Sequence, residues 1–208
     1  MNQISFWSWA GAEIAWFNPF VTGRGRELKR QLARASIAAM HAMREELPGV
    51  RFVLTDPLVN VAASGYSTAA RLQAQQQHQA QYEVWDWLAG RSEPELGGSE
   101  DLLDIMGLTW YPDNQWFHNG DPLEPHHPDY RPLNVLLQEV WQRYQRPLLI
   151  AETGAEAGQS QTWLNLVSQE CDLALKAGVQ LEGISLYPVV DYPAWDCLLY
   201  TSPSPRDA

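Results

Sequence analysis

Four short segments hold most of the side chains in this sequence that could act together chemically. They are Thr55-Asp56, Trp110-Tyr111-Pro112-Asp113-Asn114, Glu152-Thr153-Gly154, and the run YPVVDYPAW from Tyr187 to Trp195. Carboxylates and aromatics dominate them. A carboxylate can attack as a nucleophile or exchange a proton, while indole and phenol faces suit the axial C–H face of a sugar ring and add hydrogen-bonding handles. The combination points to glycoside chemistry. Glu and Asp at strand ends also serve as helix caps or paired structural carboxylates, and spacing alone does not separate these uses for Glu152.

The elements that would carry these segments alternate between helix and strand. Apolar side chains at Leu28, Leu32, Ala35, Ala39, Met43 and Leu47 have helical spacing, Pro48-Gly49 stops them, and residues 50–54 (VRFVL) form a β-rich run that leads into Thr55-Asp56-Pro57. Residues 68–88 read as one helix with Leu72, Tyr82, Trp85 and Leu88 on its buried side and the Gln-rich stretch 73–81 on its solvated face. After Gly97-Gly98, residues 102–111 (LLDIMGLTWY) read as a strand buried on both faces. A polar loop follows, then a helical stripe at Leu133, Leu137, Val140 and Tyr144, and a strand at 148–151 (LLIA). Thr162 can cap a last helix carrying Leu164, Val167, Cys171 and Ala174, and residues 179–190 supply a fourth strand. Such serial βα units give parallel strands whose C-terminal ends share one face, so the four segments converge on one site. A barrel and a doubly wound sheet both fit this pattern.

The order of these motifs resembles a known family. Asn2-Gln3 with Trp7 and Trp9, the helix ending Arg44-Glu45-Glu46-Leu47-Pro48, Gly107-Leu108-Thr109-Trp110-Tyr111, Leu149-Ile150-Ala151-Glu152-Thr153-Gly154, and Leu186-Tyr187-Pro188 with Trp195 together look like the later half of a retaining glycoside hydrolase of clan A, nearest to the family-one β-glucosidases. In that family an Asn-Glu pair ends the fourth barrel strand, a Tyr the sixth and the nucleophilic Glu the seventh, and a Trp follows the eighth. The resemblance implies a (β/α)8 TIM-barrel fragment from about the end of strand 4 through strand 8, over residues 1–196, acting on a small carbohydrate without a cofactor. It also implies roles for individual residues. Glu152 would be the nucleophile, Tyr111 the phenol bonded to it, Asn2 the partner of the sugar 2-hydroxyl and Trp195 the ring platform; apart from the resemblance, Tyr187 and Asp191 of the last segment and Asn114, Trp116 and His118 of the loop after Tyr111 are candidates to line the sugar site.

Gln3 departs from this pattern, because it stands where the family carries its acid/base Glu; Thr153 likewise replaces the usual Asn. A carboxamide has no proton to donate at any useful pH, so leaving-group protonation, typically worth roughly 10²- to 10⁴-fold, would be absent. Three explanations stay open: a sequencing substitution, an enzyme suited to activated leaving groups as in some plant thioglucosidases that resemble it, or a carbohydrate-binding barrel without turnover. Glu13 in the aromatic loop is a conceivable substitute acid, but a loop carboxylate of this kind reads more simply as a solvated side chain.

The composition excludes several classes. With 208 residues, 45% apolar and 19% charged, and with 10 Trp, 8 Tyr and 5 Phe, the chain has the material for a packed core rather than a disordered one. Its net charge of −11 argues against nucleic acid or an anionic membrane as the main partner. No apolar run spans a bilayer and Met1-Asn2-Gln3 is no basic leader, so a cytoplasmic protein is expected. His118, His126 and His127 have no recognised ligand spacing and read as a solvent-facing loop, with no metal site. Gly65-Tyr66-Ser67-Thr68-Ala69 lacks the final Gly of a nucleophile elbow, and Gly23-Arg24-Gly25-Arg26 follows no strand. Residues 197–208 (CLLYTSPSPRDA) match the translation of a common sequencing-library adapter and are expected to be a tail foreign to the protein. Without that tail Cys171 is the single cysteine, which fits a small core residue.

Overall fold

A computed structural model describes residues 2–155 and 158–188, together with the backbone of Tyr192–Pro193 and Leu199–Tyr200. Asp191, Trp195 and residues 189–190 of the expected last strand lie outside the described residues, as does the expected tail apart from Leu199–Tyr200. The chain runs α1 (Ile4–Ala12), α2 (Gly25–Glu46), β1 (Val53–Pro57), β2 (Asn60–Ala62), α3 (Thr68–Ala80), α4 (Glu83–Leu88), β3 (Ile105–Trp110), β4 (Gln115–Phe117), α5 (Leu133–Tyr144), β5 (Leu148–Thr153), α6 (Ser160–Lys176) and β6 (Leu181–Leu186).

The main sheet is parallel, in the order β1-β3-β5-β6. This order keeps the sequence direction throughout. Among the described residues the order shows no reversal, as in a barrel wall that adds each strand to the same side of the last, whereas a complete doubly wound sheet reverses once. The short strands β2 and β4 pair in parallel just beyond the ends of β1 and β3.

Three helices lie against the sheet through a stripe set by their sequence. Ala33, Ser36, Ile37 and Met40 are buried on α2; Leu133, Leu136, Leu137, Val140 and Tyr144 on α5; Val167, Cys171 and Ala174 on α6. They meet Leu54, Met106, Leu108, Leu148 and Ile150 from the strands in one continuous core. Cys171 is 3% exposed there, and burial pushes its thiol up to about 11, the behaviour of a packing residue.

Three expectations need correction. The helix expected over 68–88 is two, α3 and α4, interrupted at Gln81-Tyr82, where the Gln81 carboxamide turns inward to accept from Val59 N–H at 3.0 Å. Leu72 is exposed rather than buried, because the inward stripe of α3 is Ala70, Ala74 and His78. Thr162 does not begin α6, which starts at Ser160 after Gln159. Ser67, in the discounted elbow motif, caps α3 by accepting from Ala70 N–H at 3.1 Å. No helix among the described residues is long and apolar enough to cross a membrane.

Candidate active site

Glu152 belongs to β5, and an irregularity in that strand decides where it points. Leu148 and Ile150 face the helix layer and are fully buried, so simple alternation would send Glu152 after them. The register against β3 shifts instead: Leu108 pairs with Ile150 and Thr109 with Glu152, which leaves Ala151 as an extra residue. A bulge of one residue reverses the facing of everything beyond it, so Thr153 turns into the helix layer and Glu152 turns away from it. Two side chains meet the carboxylate on that face. The Tyr111 hydroxyl, just past β3, donates to Oε1 at 2.5 Å, and Gln3 Nε2 donates to Oε2 at 3.2 Å. Segments at positions 3, 111 and 152 thus converge on one half-buried carboxylate.

Thr153 locks the bulge in place. Its hydroxyl, fully buried, donates to the Trp110 carbonyl at 2.5 Å and accepts from Trp163 Nε1 at 2.9 Å, tying β5 to β3 and to α6. The following residue must be glycine, because a Cβ on Gly154 would lie 1.9 Å from the Tyr187 carbonyl oxygen. This close approach accompanies the Tyr187 N–H bond to the Thr153 carbonyl at 2.9 Å, which brings Tyr187, 38% exposed, to the end of β6 beside the site.

Gln3 sits in an unusual backbone conformation, with φ 53° and ψ 51°, immediately before α1. Its N–H bonds the Thr55 carbonyl at 2.7 Å, so the start of α1 is fastened to β1. Asn2 precedes it and is exposed. One turn on, Trp7 N–H bonds the Gln3 carbonyl at 3.0 Å, and from there Phe6, Trp7, Trp9, Trp16 and Phe17 form a chain of edge and stacked contacts, with Trp16 and Phe17 stacked at 4.6 Å. Trp9 and Trp16 are about half exposed, at 47% and 51%, so an aromatic surface flanks the Gln3 end of the site.

The remaining candidate residues have the following partners. Asn114 spends its carboxamide on the turn after β3, donating to the carbonyls of Leu58 at 2.7 Å and Thr109 at 3.1 Å and accepting from Tyr111 N–H at 3.2 Å. It positions Tyr111 through the backbone. Trp116 is half-buried on β4 and packs on Val59, Val61 and Ala74. Glu13 accepts from Gly25 N–H at 3.1 Å, at the first residue of α2. His118 accepts from Ser64 N–H at 3.0 Å, and among the described residues no group of His, Cys, Asp and Glu side chains could hold a metal.

Asp56, in the first of the four chemistry-bearing segments and otherwise a candidate, with Asp191, for unrelated chemistry in an open sheet, plays a different part close to this site. Asp56, on β1 and 1% exposed, accepts from Ser5 N–H at 3.0 Å and from the Ser5 hydroxyl at 2.5 Å. Burial pushes its carboxyl up to about 6, against the two bonds from Ser5 and the more distant charge of Lys29, which pull it down. A strand-terminal Asp followed by Pro is the only trace of this in the sequence.

No family model matches the chain, and no curated protein does. Solved structures do. The family 1 β-glucosidase from Thermotoga maritima, in complex with isofagomine lactam, superposes with a TM-score of 0.75 at 14% identity, over 97% of this chain and 57% of its own. A β-glycosidase from Pyrococcus horikoshii gives 0.71 at 15%, over 97% and 53%, and the AHE enzyme from Alicyclobacillus herbarius gives 0.74 at 16%, over 96% and 57%. The chain spans about half the length of these proteins and has the parallel α/β fold of TIM-barrel glycosidases.

Proposed function

We propose that this chain forms the part of a retaining β-glycosidase barrel, β-glucosidase-like in substrate, that carries the nucleophile, and that Glu152 is that nucleophile. Within this reading Asn2-Gln3 ends the fourth strand of the barrel, and β1, β3, β5 and β6 are its fifth to eighth. The likeness to family 1 β-glucosidases supports glycoside hydrolase function in general. The observation that carries the finer assignment is the pair of bonds from Tyr111 and Gln3, which hold both oxygens of Glu152 at the strand ends.

Glu152 attacks the anomeric carbon, the glycosidic bond breaks, and a glycosyl-enzyme forms; water then releases the sugar with its configuration retained. Tyr111 orients Oε1, which leaves one oxygen aligned for attack. A retaining pair of carboxyl groups stands about 5 Å apart. Gln3 occupies the partner's place as an amide, so no proton comes from it, and leaving groups stable as anions depart first. Asn2, Tyr187, Trp195 and Asp191 complete the sugar site in this reading, and the exposed indoles of Trp9 and Trp16 flank it. Incubating the protein that carries this chain with an activated 2-fluoroglycoside, then measuring intact mass and mapping peptides, tests the assignment. A label on Glu152 is expected, and a label on any other residue refutes it.

Gln3 favours a second reading, a barrel that binds carbohydrate without cleaving it. Calorimetric sugar binding with no turnover of aryl glycosides, even in Gln3→Glu, would select it. Turnover rising by roughly 10²- to 10⁴-fold in Gln3→Glu would select the hydrolase.

A further inference from the structure

α1 carries Gln3 at its start yet has no capping side chain and no acidic residue in its first turn. Unpaired N–H groups at a helix start seek an acceptor, and a negative charge there is favoured. Here the acceptor comes from another element. Asp56 on β1 takes both the Ser5 N–H and the Ser5 hydroxyl, while the preceding residue of the same strand, Thr55, takes the Gln3 N–H. Two adjacent residues of β1 therefore hold two nearby residues of the helix start. The left-handed backbone at Gln3 makes such a hold necessary, since a non-glycine side chain at φ 53° is disfavoured unless its surroundings impose it.

We propose that Asp56 is a positioning residue for the site: its clamp on Ser5 fixes the first turn of α1 and so keeps the carboxamide of Gln3 on Glu152. The clamp responds to protonation. As a carboxylate Asp56 accepts both bonds from Ser5; as an acid it must place a proton on one of those oxygens, and the hydroxyl contact has to reverse or break. The groups facing it leave this switch near neutrality. From α2 Lys29 approaches, but it is paired at 3.0 Å with Glu83 of α4; β3 sets Leu108 opposite; α1 presents only Ser5. No cation among the described residues forms an ion pair with Asp56. Burial without such a pair brings its carboxyl to about 6.

The consequence for turnover rests on the glycosidase reading, but the clamp is testable without it. In the protein that carries this chain, glutamine side chains are labelled with ¹⁵N, and the Gln3 carboxamide signal is assigned by its disappearance in Gln3→Glu. The signal is expected to move with pH with a midpoint near 6, and to stay still in Asp56→Asn. Ser5→Ala keeps the peptide N–H but removes the hydroxyl that favours the ionised form, so its midpoint is expected about 1 pH unit higher, and it carries the test if Asp56→Asn does not fold. A Gln3 signal that ignores pH between about 4.5 and 8 in the unmodified protein, or a midpoint unchanged in either variant, overturns the proposal. Failure of the glycosidase reading shows separately, as absence of label on Glu152.

Discussion

Glu139 on α5 gives the sharpest forecast of stability. Its carboxylate gathers His78 Nε2 at 3.0 Å and the Tyr82 hydroxyl at 2.9 Å on Oε1, with Arg131 Nη1 at 2.6 Å from Oε2 as an ion pair lacking hydrogen-bond alignment. This joins α3, the start of α4, α5 and the loop after β4. Burial works against the charge, but the His78 bond and the Arg131 guanidinium outweigh it, and the carboxyl is held down at about 2 against an ordinary 4.5. A folded-state value below the unfolded one stabilises the fold where the group is ionised. The contribution is therefore complete above about pH 4.5 and drains away as pH falls toward 2. That difference corresponds to at most about 3 kcal/mol; the carboxylate is only half buried and His78 adds its charge only when protonated, so about 1–2 kcal/mol is expected at pH 7. Glu139→Gln keeps an acceptor for Tyr82 but turns an amide toward Arg131, and should lose most of this stability at pH 7. Urea midpoints measured from pH 7 to about 2.5 in both proteins decide it. Equal stability at pH 7, or parallel acid limbs below pH 4.5, would refute the reasoning.

Two other expectations concern the site itself. Tyr111→Phe deletes the charge-assisted bond to Glu152 Oε1; bonds of this kind contribute about 1.5–3 kcal/mol, so labelling of Glu152 by an activated 2-fluoroglycoside should slow roughly 10- to 100-fold, and an undiminished labelling rate would remove Tyr111 from the mechanism. Thr153→Val keeps the β-branched shape but removes the partner of the half-buried Trp163 indole N–H and of the buried Trp110 carbonyl, at a cost of about 1–3 kcal/mol; a thermal unfolding curve that coincides with the parent's would show that this bridge carries no stability.

The helices α2, α5 and α6 and the strands β3 and β5 were legible because one rule governs each of them: a 3.6-residue stripe against the sheet, or a continuous apolar run between two layers. α1 escaped that rule. In ISFWSWAGA apolar residues point every way, with Ile4, Ala10 and Ala12 inward and Trp7 and Trp9 outward, so no period marks it as a helix. β2 and β4, three residues each, are too short to show alternation, and they exist because backbone groups past β1 and β3 find each other. The break between α3 and α4 follows from the inward turn of Gln81, a tertiary contact that a polar stretch does not announce.

Alternation misleads most where chemistry is concerned. Read at period two, the run LLIAET puts Glu152 on the face of Leu148 and Ile150, among the helices. The bulge at Ala151 cancels that reading, and what stabilises the bulge lies outside the run: the Trp110 carbonyl on one side and the Trp163 indole, ten residues later, on the other, both met by the Thr153 hydroxyl. The facing of the carboxylate is thus decided by its neighbour. A threonine there does more than replace the asparagine of the family pattern; it supplies the bonds that let Glu152 stand beside Tyr111 and Gln3, at the strand ends where the sequence of motifs leads one to look for it.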